Sequence, residues 1–236
     1  MTIAKELSPE DRQFFTIVAR AAFCNPFGDE RRQLDQQIVG KSPGQSDSDL
    51  VPMVVDRVAE RLEKLQRGSG ADIRHYRGSD RQLVRDLVMF HIYHLFCLPF
   101  DDFILRQEKE GESPLPLPFG QDILSLLVGH GFSASEAERL IAFFYQVRRA
   151  FHFIHRGLIG QSMAMEELRM RLWNQVFTRD AHWYERYLWN RMEDFSTLLL
   201  GETGTGKGTA AAAIGRSGFI PYDPQRKTFT ESFTRN

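Results

Sequence analysis

Apolar residues recur at helical spacing through most of the chain between Pro9 and Arg156. The first such stretch opens on Ser8-Pro9-Glu10-Asp11, with Ser8 as N-cap, Pro9 at the first helical position and acids in the first turn. It carries Phe14, Phe15, Ile17, Val18 and Ala21 inward, and Asn25-Pro26 closes it. Arg31–Val39 reads as a second, more polar helix, and Gly40–Asp49, rich in Ser, Gly and Asp, as a loop. Pro52–Leu65 places Met53, Val54, Val58, Leu62 and Leu65 on one face, and Gly68-Ser69-Gly70 ends it. Arg81–Leu98 is apolar around most of its circumference, which predicts a central, nearly all-buried helix stopped by Pro99. Glu108–Phe119 is charged and then proline-rich, an exposed loop, and Asp122–Val128 is a short helix. Ser135-x-x-Glu138 is a capping box that opens a long helix to about Arg156. No strand is expected before Thr197, so residues 1–156 read as an all-α domain.

Gly157-Leu-Ile-Gly-Gln-Ser162 interrupts this pattern, and Ser162 can cap a helix holding Met165, Leu168, Leu172 and Val176 on one face. An aromatic, charged stretch follows at Asp180–Asp194. The segment Phe195–Ser217 then has three parts in the order a phosphate cradle requires. Thr197–Leu200 is a short apolar run, as expected of a strand buried on both faces of a parallel sheet. Gly201-Glu202-Thr203-Gly204-Thr205-Gly206-Lys207 is a glycine-rich turn, and Gly208–Ile214 is an alanine-rich helix. Gly201 and Gly206 frame four residues and Lys207 follows, completing the G-x-x-x-x-G-K part of a P-loop. In such a loop successive N–H groups point at an anion, the following helix directs its positive end to the same point, and the lysine meets the β- and γ-phosphates. Position 208 is glycine rather than the usual Ser or Thr that helps hold magnesium. Thr209 carries a hydroxyl, but one residue later it points about 100° further round the helix. ATP is the expected ligand, with Mg2+ accompanying it. Beyond the loop helix, Gly218–Pro224 reads as a turn-rich exit and Gln225–Asn236 as a polar, basic tail.

Composition narrows the picture only a little. The chain has 236 residues, 42% hydrophobic and 26% charged, with a formal net charge of −1, so any polyanion binding would have to come from a local patch. The two cysteines lie far apart in sequence, Met1–Pro9 lacks the apolar core of a signal peptide, and Leu83–Phe100 is too short and charged to span a bilayer. A cytoplasmic setting without membrane contact is the expectation.

Two separate stretches carry a family likeness. Leu158-Ile-Gly-Gln-Ser-Met-Ala-Met-Glu-Glu-Leu-Arg169 resembles the opening segment of the ATPase domain of sigma-54-dependent transcription activators, the bacterial enhancer-binding proteins of the AAA+ class. Gly201–Lys207 resembles that family's version of the Walker A loop, including Glu202 and the Thr-Gly-Lys end, and the family does not place Ser or Thr after the lysine either. The resemblance implies that Gly201–Lys207, with Gly208 and Thr209 opening the helix, wrap the phosphates of ATP, while Leu158, Ile159 and Gly160 line the adenine pocket. It implies a homo-oligomeric ring that uses ATP hydrolysis to remodel the sigma-54 form of RNA polymerase, with DNA bound by a separate C-terminal domain. The fold class that follows is mainly α: an all-α regulatory domain over residues 1–156, then the start of an α/β P-loop (AAA+) domain over residues 157–236. Three features depart from the family. The stretch between Arg169 and Gly201 is longer, suggesting an insertion near Asp180–Asp194. The first domain matches no receiver, PAS or GAF pattern. The Walker B acid, sensor residues and arginine finger are not in this sequence, so no catalytic residue is assigned and ATP hydrolysis by this chain alone is expected to be poor or absent. A non-hydrolysing interaction module with a vestigial nucleotide site, and another kind of P-loop NTPase, are the alternatives.

Other clusters take plainer readings. His91-x-x-His94-x-x-Cys97 fits buried core histidines better than a metal site, because Cys97 is rotated off the face that the histidines share. Arg148, Arg149, His152, His155 and Arg156 read as a cationic helix end complementing the helix dipole, and Trp183–Trp189 as packing or a subunit contact.

Overall fold

A computed structural model describes residues 4–40, 50–68, 70–191 and 196–235. Those residues are mainly helical. The helices are α1 (Pro9–Phe23), α2 (Asp29–Val39), α3 (Leu50–Arg67), α4 (Gly78–Leu95), α5 (Cys97–Glu110), α6 (Gly120–Gly129), α7 (Ala134–Gly157), α8 (Met163–Phe177), α9 (Ala181–Trp183) and α10 (Lys207–Gly215). The strands β1 (Tyr222–Asp223) and β2 (Thr228–Phe229) form a two-stranded antiparallel sheet. Among the described residues no single helix is long and apolar enough to cross a membrane. The loop expected at Gly40–Asp49 falls, beyond Gly40, outside the described residues, as do Ser69 and Phe195.

Contacts divide the chain into two compact units. One comprises Met1–Cys24, Gly28–Phe96 and Ser125–Ala134, and the other Asn25–Phe27, Cys97–Leu124 and Ser135–Asn236. The expected boundary after Arg156 therefore falls at the end of α7, within the second unit. Sequence order put α5 and α7 with the N-terminal helices, but their apolar faces pack among the residues that follow them.

In the first unit α1 packs against α2 and α4, and α3 against α2 and α4. Ser8 caps α1 as its sequence predicts, its hydroxyl accepting from Asp11 N, and Phe15, Val18 and Ala21 are buried. The central helix α4 buries a continuous run from Val84 to Phe90, including Arg85 and Asp86, but its C-terminal end emerges and Leu95 is 49% exposed. At its start Asp80 is nearly buried and accepts from Leu7 N at 2.9 Å and from Arg12 Nε at 2.8 Å, which ties the segment before α1 to α4. The bond from Arg12 holds the Asp80 carboxyl below its ordinary pKa, against the opposing effect of burial. A carboxyl with a lowered folded-state pKa stabilises above its unfolded value of about 3.9 and loses that contribution as pH falls through the folded value. Asp80→Asn is accordingly expected to destabilise the first unit at pH 7, and the gap to the unsubstituted chain should close below pH 4. Amide exchange in α1 and α4 across that range is the measurement, and a gap that persists in acid would contradict the assignment.

The second unit is built on α5 and α7. Pro99 was expected to end the preceding helix, yet the break comes at Phe96 and Pro99 sits in the first turn of α5, where a missing N–H costs nothing. Helix α7 begins at Ala134, so Ser135 lies inside it rather than capping it. Gln107, 2% exposed, holds the proline-rich loop by donating to Gly111 O and Ser113 O and accepting from Leu115 N.

The C-terminal segment is the largest departure from the sequence expectation. Instead of a polar tail, residues 222–229 form a hairpin in register Tyr222↔Phe229, turned by Asp223 Oδ1 accepting from the Gln225 and Arg226 amides. Phe229 stacks on Tyr145 of α7 with centroids 4.0 Å apart, and Phe233 is fully buried against Phe153. The aromatic residues are too few and too irregularly spaced in that segment to announce a buried face.

Candidate functional site

The glycine-rich loop and α10 form together, as their sequence requires. Gly204 and Gly206 both have φ of 84°, the left-handed region that an L side chain enters only with strain. Gly206 leads directly into α10, and Ala210 N returns to Gly206 O at 3.0 Å, so the helix's first amides lie ahead of that bond without intrahelical partners. Among the described residues no side chain caps this end. Lys207 Nζ donates to Gly201 O at 2.8 Å and to Glu202 O at 2.5 Å, and Thr205 Oγ1 donates to Glu202 O at 2.8 Å. The ammonium thus lies across the loop, held by carbonyls that a phosphate could replace as its partner. Gly201 to Gly206 are all exposed, which leaves the loop open to solvent.

At the metal position the residues fit poorly. A Cβ on Gly208 would meet nothing within 4 Å, so the site has room for a hydroxyl but none is there. The Thr209 methyl lies 3.8 Å from where a Cβ on Gly157 would stand, so that side chain is turned toward the end of α7. Among the described residues no group of three or more His, Cys, Asp and Glu side chains could hold a metal ion.

Residues 158–160 are pinned by Arg169 of α8, whose Nη2 donates to Leu158 O at 2.5 Å and Gly160 O at 2.7 Å. Ser162 caps α8 as expected, and α8 packs against α10, which puts this segment beside the loop helix. Leu158 is 5% exposed and belongs to the core, whereas Ile159 is 91% exposed and open to a ligand's apolar face.

The apolar run before the loop does not form the doubly buried strand that its composition predicts. Residues 196–200 pair with no strand among the described residues, and Leu198 and Leu200 are 81% and 83% exposed. A central strand is buried by its neighbours on both sides, and the small β1–β2 hairpin does not supply them. Leu198→Ser and Leu200→Ser are each expected to change stability by no more than about 0.5 kcal/mol. Buried strand positions would lose about 2–5 kcal/mol. Urea unfolding distinguishes the two.

Sequence reasoning missed the residues at the far end of α10. Gln146 Nε2 of α7 donates to Ser217 O at 3.0 Å, while Arg149 Nη1 and Nη2 donate to Arg216 O and Gly218 O, both at 2.6 Å. Arg149 is fully buried, with its guanidinium 4.4 Å from the Tyr145 ring centroid. Burial pushes its pKa down to about 10, so it stays charged at neutral pH. The supposed cationic helix end is thus several unlike environments, with Arg148 paired to Asp101 at 2.7 Å and His155 stacked on Phe151. Polar residues three apart on an otherwise aromatic face were the available signal.

In the aromatic stretch, Tyr184 is buried and accepts from Gln146 Nε2 at 2.7 Å, Trp189 packs on Phe219, and Trp183 and Tyr187 form an exposed pair with centroids 4.3 Å apart. The last three residues of Asp180–Asp194 lie outside the described residues. In the first unit His94 Nδ1 bonds Phe90 O at 2.8 Å and its ring packs on Phe90. Compared with protein-family models, curated proteins and solved structures, the chain matches none.

Proposed function

We propose that this chain is the ATP-binding part of a sigma-54-interacting transcription regulator of the AAA+ class, with Gly201–Lys207 as its phosphate cradle. The single observation that carries the reading is the joined loop and helix: left-handed glycines turn the backbone into α10 while Lys207 spans the loop mouth. On this reading residues 157–236 begin the α/β P-loop domain. The phosphates replace Gly201 O and Glu202 O as partners of Lys207 Nζ, and the first amides of α10 add donors and the positive end of the helix dipole. Ile159 covers one face of the adenine. ATP supplies the phosphoryl group, and because the side chains around Gly208 do not fit a protein-held ion, magnesium enters with the nucleotide. The helical first unit regulates the ring that such domains form, and that ring acts on the sigma-54 form of RNA polymerase in a cytoplasmic setting.

Gly208, which offers no side chain to hold a metal ion, favours a second reading, a nucleotide sensor that binds without hydrolysing. A fluorescent ATP analogue titrated with and without Mg2+, alongside a phosphate-release assay, separates them. Saturable binding with no release favours the sensor. Binding with release favours the ATPase, and absence of binding removes both.

A further inference from the structure

Helix α10 is open to solvent at its N-terminal end and gripped at the other. Its N-terminus is the proposed phosphate cradle. The C-cap and turn that follow it present three successive carbonyls, of Arg216, Ser217 and Gly218, and all three accept from side chains of α7. From this geometry, and resting on the nucleotide reading above, we infer that Gln146 and Arg149 are positioning residues that couple occupancy of the phosphate loop to α7.

A buried guanidinium needs its donors satisfied, because desolvation of an unpaired charge exceeds what packing returns. Arg149 meets that need at its two terminal nitrogens, which donate to backbone carbonyls flanking the Ser217 carbonyl taken by Gln146, while its Nε is buried without a partner among the described residues. These bonds persist only while the turn after α10 stays in register with α7. The negative end of the helix dipole faces the same cation. Helix α10 has nine residues, and its intrahelical bonds make it a strut of about 13 Å between the loop and this clamp. A displacement at Gly206–Lys207 is therefore felt at Arg216–Gly218. Beside the clamp, Ala211 and Ile214 of α10 line a cavity of about 640 Å3 together with Arg149, Gly218, Thr197 and Leu199, so the clamp borders open space. Gln146 extends the link, since its Nε2 also donates to the buried Tyr184 hydroxyl.

The test measures affinity for a fluorescent ATP analogue in the full chain, with circular dichroism confirming folding. Arg149→Met keeps the bulk and removes the donors, and is expected to weaken binding at least tenfold. Arg149→Lys, whose single ammonium cannot span both carbonyls, should recover part of that loss, and Gln146→Leu should weaken binding severalfold. Arg148→Met, one position away and paired with Asp101, should leave affinity unchanged. A folded Arg149→Met chain that binds like the unsubstituted protein overturns the inference, as does an equal loss in Arg148→Met. If Arg149→Met does not fold, hydrogen exchange on the unsubstituted chain decides. Nucleotide should slow exchange of the α7 amides around Gln146–Arg149, and unchanged exchange there overturns the coupling. Should the unsubstituted chain bind no nucleotide, the phosphate-cradle reading fails and the coupling with it, an outcome distinct from intact binding that ignores Arg149.

Discussion

Lys207→Ala is expected to raise the dissociation constant for an ATP analogue by about 10- to 100-fold, the range set by losing a charge-assisted hydrogen bond of about 1.5–3 kcal/mol. Removing the amine leaves the Gly201 and Glu202 carbonyls in an exposed loop where water replaces it, so folding should be unaffected. Loss of binding with an unchanged melting curve is thus the signature of a phosphate ligand rather than a structural lysine. The remaining affinity, carried by the α10 amides and by apolar contact at Ile159, should depend less on salt than in the unsubstituted chain, because one cation has gone. Equal affinity in the two proteins would remove the cradle from consideration.

Phe229→Ala is expected to cost about 3–5 kcal/mol in the second unit, the usual range for emptying a buried aromatic site. Its ring is 2% exposed, lies nearly parallel to Tyr145 at an interplanar angle of 17°, and also meets Phe103 of α5 and Tyr222 of β1. Taking it away opens a void among α5, α7 and the hairpin that none of them can close alone. Gln225→Ala, an exposed turn position, should stay within about 0.5 kcal/mol. All three tryptophans, Trp173, Trp183 and Trp189, belong to the second unit, so tryptophan fluorescence in urea reports its unfolding directly. A loss below about 1 kcal/mol would mean that the segment after α10 is only lightly attached, as its polar composition had suggested.

The same stretches show where reading from residues succeeds and fails. The caps Ser8 and Ser162, and the turn-to-helix change at Gly206–Lys207, stand where the sequence places them. Each is decided by a few neighbouring residues: a hydroxyl within reach of an amide two or three positions on, or a glycine free to take positive φ. Pro99 misled because proline is excluded from helix interiors but welcome in a first turn, and which applies depends on where the previous helix breaks. Leu198 and Leu200 misled because an apolar run describes what a strand could bury, not whether neighbours exist to bury it.

By itself the sequence determined that this protein is mainly helical and that it carries a glycine-framed lysine loop joined to a helix, since helical period, capping and turn chemistry are local. Only the tertiary structure decided that α5 and α7 belong with the loop segment, that Phe229 and Phe233 are core, and that Arg149 is a buried clamp rather than a surface cation. These are long-range pairings, set by which apolar faces find each other and which buried donors find a carbonyl, and no window of neighbouring residues encodes them.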